Sequence, residues 1–133
     1  MTLDTNVVLR YLLGDIPAQQ EPIRRLITVA RQDSIVVPNT VFFELVWILG
    51  GSYYKFERLF IQQMLSAFLT IPKITGERQL LLLALERYVA FPAISFVDAA
   101  LATEAELHDA LPLISFDKKL VAALPHLVRL PAK

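Results

Sequence analysis

The chain has 133 residues, enough for one domain with a core of its own, and no composition shift marks a second. Hydrophobic residues make up 55% and charged residues 20%, which excludes disorder. No uninterrupted apolar run reaches the roughly 18 residues of a bilayer span, so no membrane role is expected. Lysine and arginine balance aspartate and glutamate at 13 each, so any contact with nucleic acid must come from a local site and not from global charge.

Leu3 closes a short opening strand, and Asp4-Thr5-Asn6 turns it at once into a helix over 6–13, stopped by Gly14. Pro17 restarts the chain as a second helix to about Arg31, with Ile23, Leu26, Ile27 and Ala30 on one face. Ile35-Val36-Val37, ended by Pro38, is a buried strand, and Asn39 is a good N-cap for a third helix that stops at Gly50-Gly51. A fourth helix over 56–70 carries Phe56, Phe60, Met64 and Phe68 as its apolar stripe. Residues 71–74 form a short strand weakened by Pro72, and a Leu-rich helix over 77–90 is broken by Phe91-Pro92. Ser95 caps a helix to about Leu107, after which come a strand over 112–115, a short helix over 118–124 and a last strand over 128–130. Strands alternating with helices predict an α/β fold, a three-layer α/β/α single domain with a short-stranded parallel central sheet.

The apolar excess predicts a covered surface, and a homodimer is the simplest cover. Phe42, Phe43, Trp47 and Phe60 are too many large rings for one small core. Asp4 and Arg10 break the N-terminal apolar run, which argues against a signal peptide, and the absence of cysteine fits a reducing cytoplasm.

Four carboxylates stand where the local pattern favours something else. Glu44 lies inside Val41–Leu49, a helix apolar all round and therefore expected to be buried or paired on every face, where a lone carboxylate needs a positive partner. Asp98 follows Ser95 at capping-box spacing, yet it shares a helical face with Leu101, Ala102 and Ala105, opposite Thr103, Glu104 and Glu106. Asp4 and Asp117 each follow a strand and are equally good helix caps. Taken singly, these three acids read as structural. If the strands before Asp4 and Asp117 are neighbours, the acids converge at the carboxyl edge of the sheet, where ligands bind in open α/β folds. Like charges so placed call for hard cations with oxygen ligands, Mg²⁺ or Mn²⁺ and not zinc, and His108 and His126 read as surface residues.

At this point the chain resembles the PIN-domain ribonucleases, particularly the VapC-type toxins of toxin–antitoxin pairs. The resemblance rests on Leu3-Asp4-Thr5-Asn6, on Glu44, on Ser95-Phe96-Val97-Asp98-Ala99-Ala100-Leu101-Ala102 and on Ser115-Phe116-Asp117-Lys118-Lys119-Leu120. It implies a PIN-like fold and Mg²⁺- or Mn²⁺-dependent endonuclease action on RNA. Asp4, Glu44, Asp98 and Asp117 are then the catalytic, metal-binding acids, and Thr5, Asn6 and Ser115 their polar supports. It also implies a homodimer and a cognate antitoxin whose C-terminal segment wraps the toxin. Serine stands at 115 where the family often has threonine, which keeps the hydroxyl. Arg10, Lys118 and Lys119 lie near the motifs and are candidates for the RNA backbone, or plain surface charges.

Three other readings remain. An aspartate-nucleophile phosphatase also ends its first strand in Asp, but needs a second Asp where Asn6 stands. A catalytically silent PIN-fold binding module and a stand-alone PIN nuclease without antitoxin differ from the toxin in activity and in partner.

Overall fold

The computed structural model describes residues 1–132. Helix α1 (Thr5–Leu13), α2 (Pro17–Val29), strand β1 (Ile35–Val36), α3 (Asn39–Leu49), α4 (Arg58–Leu69) and β2 (Ile74–Thr75) belong to a compact unit that ends at Arg78. Helix α5 (Arg78–Ala90), α6 (Phe96–Leu107), β3 (Leu113–Ile114), α7 (Lys118–Ala123) and β4 (Val128–Arg129) make up a second unit from Gln79 onward. The expected alternation of short parallel strands with helices is present, and no helix among the described residues is long and apolar enough to cross a membrane.

In the first unit β1 is central. It pairs in parallel with β2, Ile35 opposite Ile74 and Val36 opposite Thr75, and Thr2 forms a single parallel bridge to Val36. The opening strand is therefore reduced to one bridge, with the Leu3 amide donating to the Val36 carbonyl at 3.0 Å. The three segments leave the sheet at the same edge, into Asp4, into Pro38-Asn39 and into Gly76-Glu77. Gly76 has φ 151°, and a Cβ there would stand 3.2 Å from the Val37 carbonyl oxygen, so the neighbouring strands approach closely only because that atom is missing.

Helix α1 packs on α2 and α3, and Phe68 of α4 meets the rings of Tyr11 and Phe42 at centroid distances of 5.8 and 6.3 Å. The expected stripe on α4 is not its core face. Ile61, Leu65, Phe68 and Leu69 are buried, whereas Phe60 is 47% exposed and Phe56 precedes the helix. A repeat of four drifts about 40° per step around a helix of 3.6 residues per turn, so such a stripe winds away from any flat contact. Strand β2 likewise starts after Pro72 and not at Ile71, because it uses the Lys73 carbonyl to accept from the Ile35 amide. Asn39 is the first residue of α3 and not its cap. Pro38 holds the cap position without a side-chain bond, and the Asn39 side-chain Nδ2 donates to Glu77 Oε2 at 3.2 Å.

Two cations flanking β2 close helix ends that have no glycine stop. Lys73 Nζ donates to the carbonyls of Ile27, Thr28 and Ala30 at 3.3, 2.9 and 2.6 Å, at the C-terminus of α2. Arg78 donates to Leu69 O at 2.6 Å at the end of α4, and to Ile74 O at 2.8 Å. A helix leaves its last four carbonyls without partners and carries partial negative charge there, so an ammonium is doubly suited to the place.

In the second unit β3 pairs in parallel with β4, Leu113 opposite Val128, and Ile94, Ala99, Ala102, Leu120, Leu124, Leu127 and Val128 form its core. Arg87 of α5 is tied to α6, donating to Thr103 Oγ1 at 2.8 Å and to Glu106 Oε1 at 2.7 Å. Thr103, expected on the polar side of α6, is therefore fully buried, its hydroxyl also donating to Ala99 O at 2.7 Å.

Replacing Lys73 by Met keeps the aliphatic stem and removes the charged donor. Urea unfolding should show a lower midpoint with unchanged slope, a loss of about 1–2 kcal/mol, in line with hydrogen bonds to a charged group.

Candidate active site

Asp4 begins where the sheet ends. Its backbone is extended and its Oδ1 accepts from the Val7 amide at 3.0 Å, so it is the N-cap of α1. Asp117 does the same for α7, with Oδ1 accepting from the amides of Lys119 and Leu120 at 2.9 and 3.2 Å. The structural reading of both acids is thus correct as far as it goes. It uses one oxygen of each, and both side chains are exposed with Oδ2 making no bond among the described residues.

Asp98 and Glu44 have no such occupation. Ser95 Oγ accepts from the Asp98 amide at 3.1 Å, which is half of a capping box; no return bond from the Asp98 carboxylate exists among the described residues. That carboxylate, half-buried in the first turn of α6, has neither hydrogen bond nor ion pair there. Glu44 corrects an expectation. It is exposed, on a stripe with Thr40 and Trp47, the last 82% exposed, while Val41, Phe42, Leu45, Val46 and Leu49 are buried. The exposed Trp47 and the half-buried Phe43 and Ile48 make the helix look apolar all round, which hides the narrow open stripe in the sequence. No cation meets Glu44 among the described residues, which removes the reading as a core acid neutralised by arginine.

Among the supports, Ser115 holds the loop before α7, its hydroxyl accepting from the Asp117 amide at 3.0 Å. Thr5 is half-buried and Asn6 exposed in the first turn of α1. Lys118 and Lys119 are exposed and form no ion pair among the described residues. Arg10 is different. Its guanidinium grips Asp15 with two bonds of 2.9 and 2.8 Å and also donates to the Tyr54 hydroxyl at 3.3 Å. The Tyr54 bond and the Asp15 charge hold its pKa above the usual arginine value against the opposing effect of burial. It stays charged at any accessible pH, with its charge already answered. His108 and His126 are exposed, as expected.

Among the described residues, neither unit brings three or more His, Asp or Glu side chains together as a metal-binding group. The donors themselves suit a hard divalent cation. They are carboxylate oxygens throughout, two residues wholly uncommitted and two with one oxygen to offer.

A family model, the PIN domain, matches residues 1–124. The chain belongs to the PIN-domain family. PIN domains are generally nucleases and typically use divalent metal ions. No curated protein and no solved structure matches the chain. Two further features of this PIN domain lie outside the four acids: the Arg10–Tyr54 link, 44 residues apart in sequence, and Phe116, 86% exposed between Ser115 and Asp117. The first leaves no local signal; the second was visible as an aromatic inside a polar turn.

The double use of Asp4 and Asp117 has a measurable consequence. Asparagine caps a helix about as well as aspartate, whereas alanine costs about 1 kcal/mol. Thermal unfolding should place Asp4→Asn and Asp117→Asn close to the parent and the two Ala variants below it, so that Asn variants test chemistry without disturbing the fold.

Proposed function

We propose that this PIN domain is a metal-dependent endoribonuclease and the toxin of a toxin–antitoxin pair, hydrolysing RNA phosphodiester bonds with Asp4, Glu44, Asp98 and Asp117. What supports the reading is membership of a nuclease family together with Glu44 and Asp98, which have neither cation nor hydrogen-bond donor on their carboxylates among the described residues. Two carboxylates without cation or hydrogen-bond donor, in a family of nucleases, are suited to hold an ion that neutralises a phosphate.

In this reading Asp98 and Asp4 are the direct ligands, Asp4 through the oxygen that its cap leaves over, and Glu44 and Asp117 bind the metal directly, through water, or orient the attacking water. Ser115 fixes Asp117, while Thr5 and Asn6 support the first turn behind Asp4. A bound Mg²⁺ or Mn²⁺ supplies an activated water and charge neutralisation at the scissile phosphate. Lys118 and Lys119, without ion pairs, are better placed to hold the RNA backbone than Arg10, which is occupied by Asp15 and Tyr54.

The partners belong to the same proposal. Trp47 and Tyr53, 82% and 86% exposed, with Phe60 half-exposed, give the first unit the uncovered aromatic surface that favours a homodimer. An open groove of about 500 Å³, lined by Tyr11, Leu12, Met64, Ala67 and Phe68 with Gln20 and Arg24, would take an antitoxin segment that presents both apolar and polar side chains. A cytoplasmic location follows from the RNA substrate.

The purified chain, freed of any partner, should cleave RNA with Mg²⁺ or Mn²⁺ and stop on chelation. Asp98→Asn and Glu44→Gln should each lower kcat at least a hundredfold while the fold is retained. Full activity in Asp98→Asn contradicts the assignment of the acids, and inactivity on every RNA tried favours the silent binding module. Light scattering of the same sample should give twice the 15.0 kDa chain mass; a monomer at micromolar concentration contradicts the dimer.

A further inference from the structure

Phe116 is left without a role by the chemistry above. Single exposed apolar side chains are common, so its exposure of 86% means little alone. Its setting says more. The backbone on either side is held: the Ser115 amide donates to Arg129 O at 3.1 Å, the Ser115 hydroxyl accepts from the Asp117 amide at 3.0 Å, and Asp117 is itself fastened to the start of α7. The ring is thus carried outward by a pinned turn, not by a loose one. Ile114, two residues earlier at the end of β3, is 50% exposed and adds a second apolar side chain to this segment. Lys118 and Lys119 follow directly, both exposed and without ion pairs among the described residues. A flat apolar ring beside two unpaired ammonium groups is what recognition of single-stranded nucleic acid uses: aromatic faces for bases and cations for the phosphates between them.

We propose that Phe116 is a base-stacking platform for an unpaired nucleotide of the RNA, with Lys118 and Lys119 holding the adjoining phosphates. The proposal rests on the nuclease reading and extends it to substrate selection. Every base has a π face, so Phe116 selects strandedness, not sequence. Bases inside a duplex are already stacked and cannot reach the ring, which directs binding to loops and single-stranded ends.

The test measures binding of a labelled single-stranded RNA oligonucleotide by fluorescence anisotropy, with Ca²⁺ present to avoid turnover, beside the same strand carrying consecutive abasic sites. Phe116→Ala should weaken binding of the intact strand by about ten- to a hundredfold. It should leave the abasic strand bound as by the parent, and Phe116→Tyr should restore intact-strand affinity. Lys118→Ala with Lys119→Ala should weaken both strands alike and flatten the salt dependence. Equal loss on both strands, or no loss on either, overturns the proposal. So does a Phe116→Ala chain whose mass by light scattering changes while its base-dependent affinity does not, which assigns the ring to a protein contact. In cleavage, Phe116→Ala should raise KM for single-stranded RNA with little change in kcat. If the parent cleaves no RNA, the nuclease reading fails, and the comparison of intact with abasic strands still decides the role of Phe116.

Discussion

Helix ends in this chain meet strands only two residues long, and that junction constrains everything else. A helix leaves four amides and four carbonyls without internal partners, and a sheet of one or two pairings has little backbone left to offer them. Side chains satisfy them instead. Asp4, Ser95 and Asp117 accept from amides at helix starts, while Lys73 and Arg78 donate to carbonyls at helix ends. Gly14 closes α1 with φ 62°, a conformation that needs no Cβ.

The same junctions concentrate the chemistry. An acid that caps a helix sits at the carboxyl end of a strand, held in one orientation, with its second oxygen outward. At Asp4 and Asp117 the cap occupies one oxygen and leaves the other available, so the structural role is compatible with the proposed chemical one. Glu44 serves no helix end, whereas Asp98 lies in the first turn of α6, where a carboxylate meets the partial positive charge of the helix start; neither is answered by a cation among the described residues. Exposed or half-buried carboxylates need no partner for stability. In the proposed reading, it is membership of a family of nucleases that gives them meaning.

Helix existence was legible because Gly14, Pro17, Pro38, Gly50-Gly51 and Phe91-Pro92 punctuate the chain, and the caps at Asp4 and Asp117 were legible because each precedes a helical run. Long-range partners were not. Lys73 reaches carbonyls 43 to 46 residues away and Asn39 reaches Glu77 across 38, so nothing local announces either bond. The burial of Glu44 was misjudged because Trp47, Phe43 and Ile48 carry the apolar run around to the open side of α3, where Thr40 and Glu44 stand exposed. The four acids were singled out from motif order, while Phe116, inside one of those motifs, passed unnoticed because its neighbours carried the pattern.

The central claim is that Glu44 and Asp98 are kept to bind a divalent cation. Manganese binding, followed by water-proton relaxation on the full chain, tests it without reference to any RNA. The four-carboxylate assignment predicts saturable binding by the parent and at least tenfold weaker binding by both Glu44→Gln and Asp98→Asn, each as stable as the parent. Undiminished manganese affinity in either variant contradicts it.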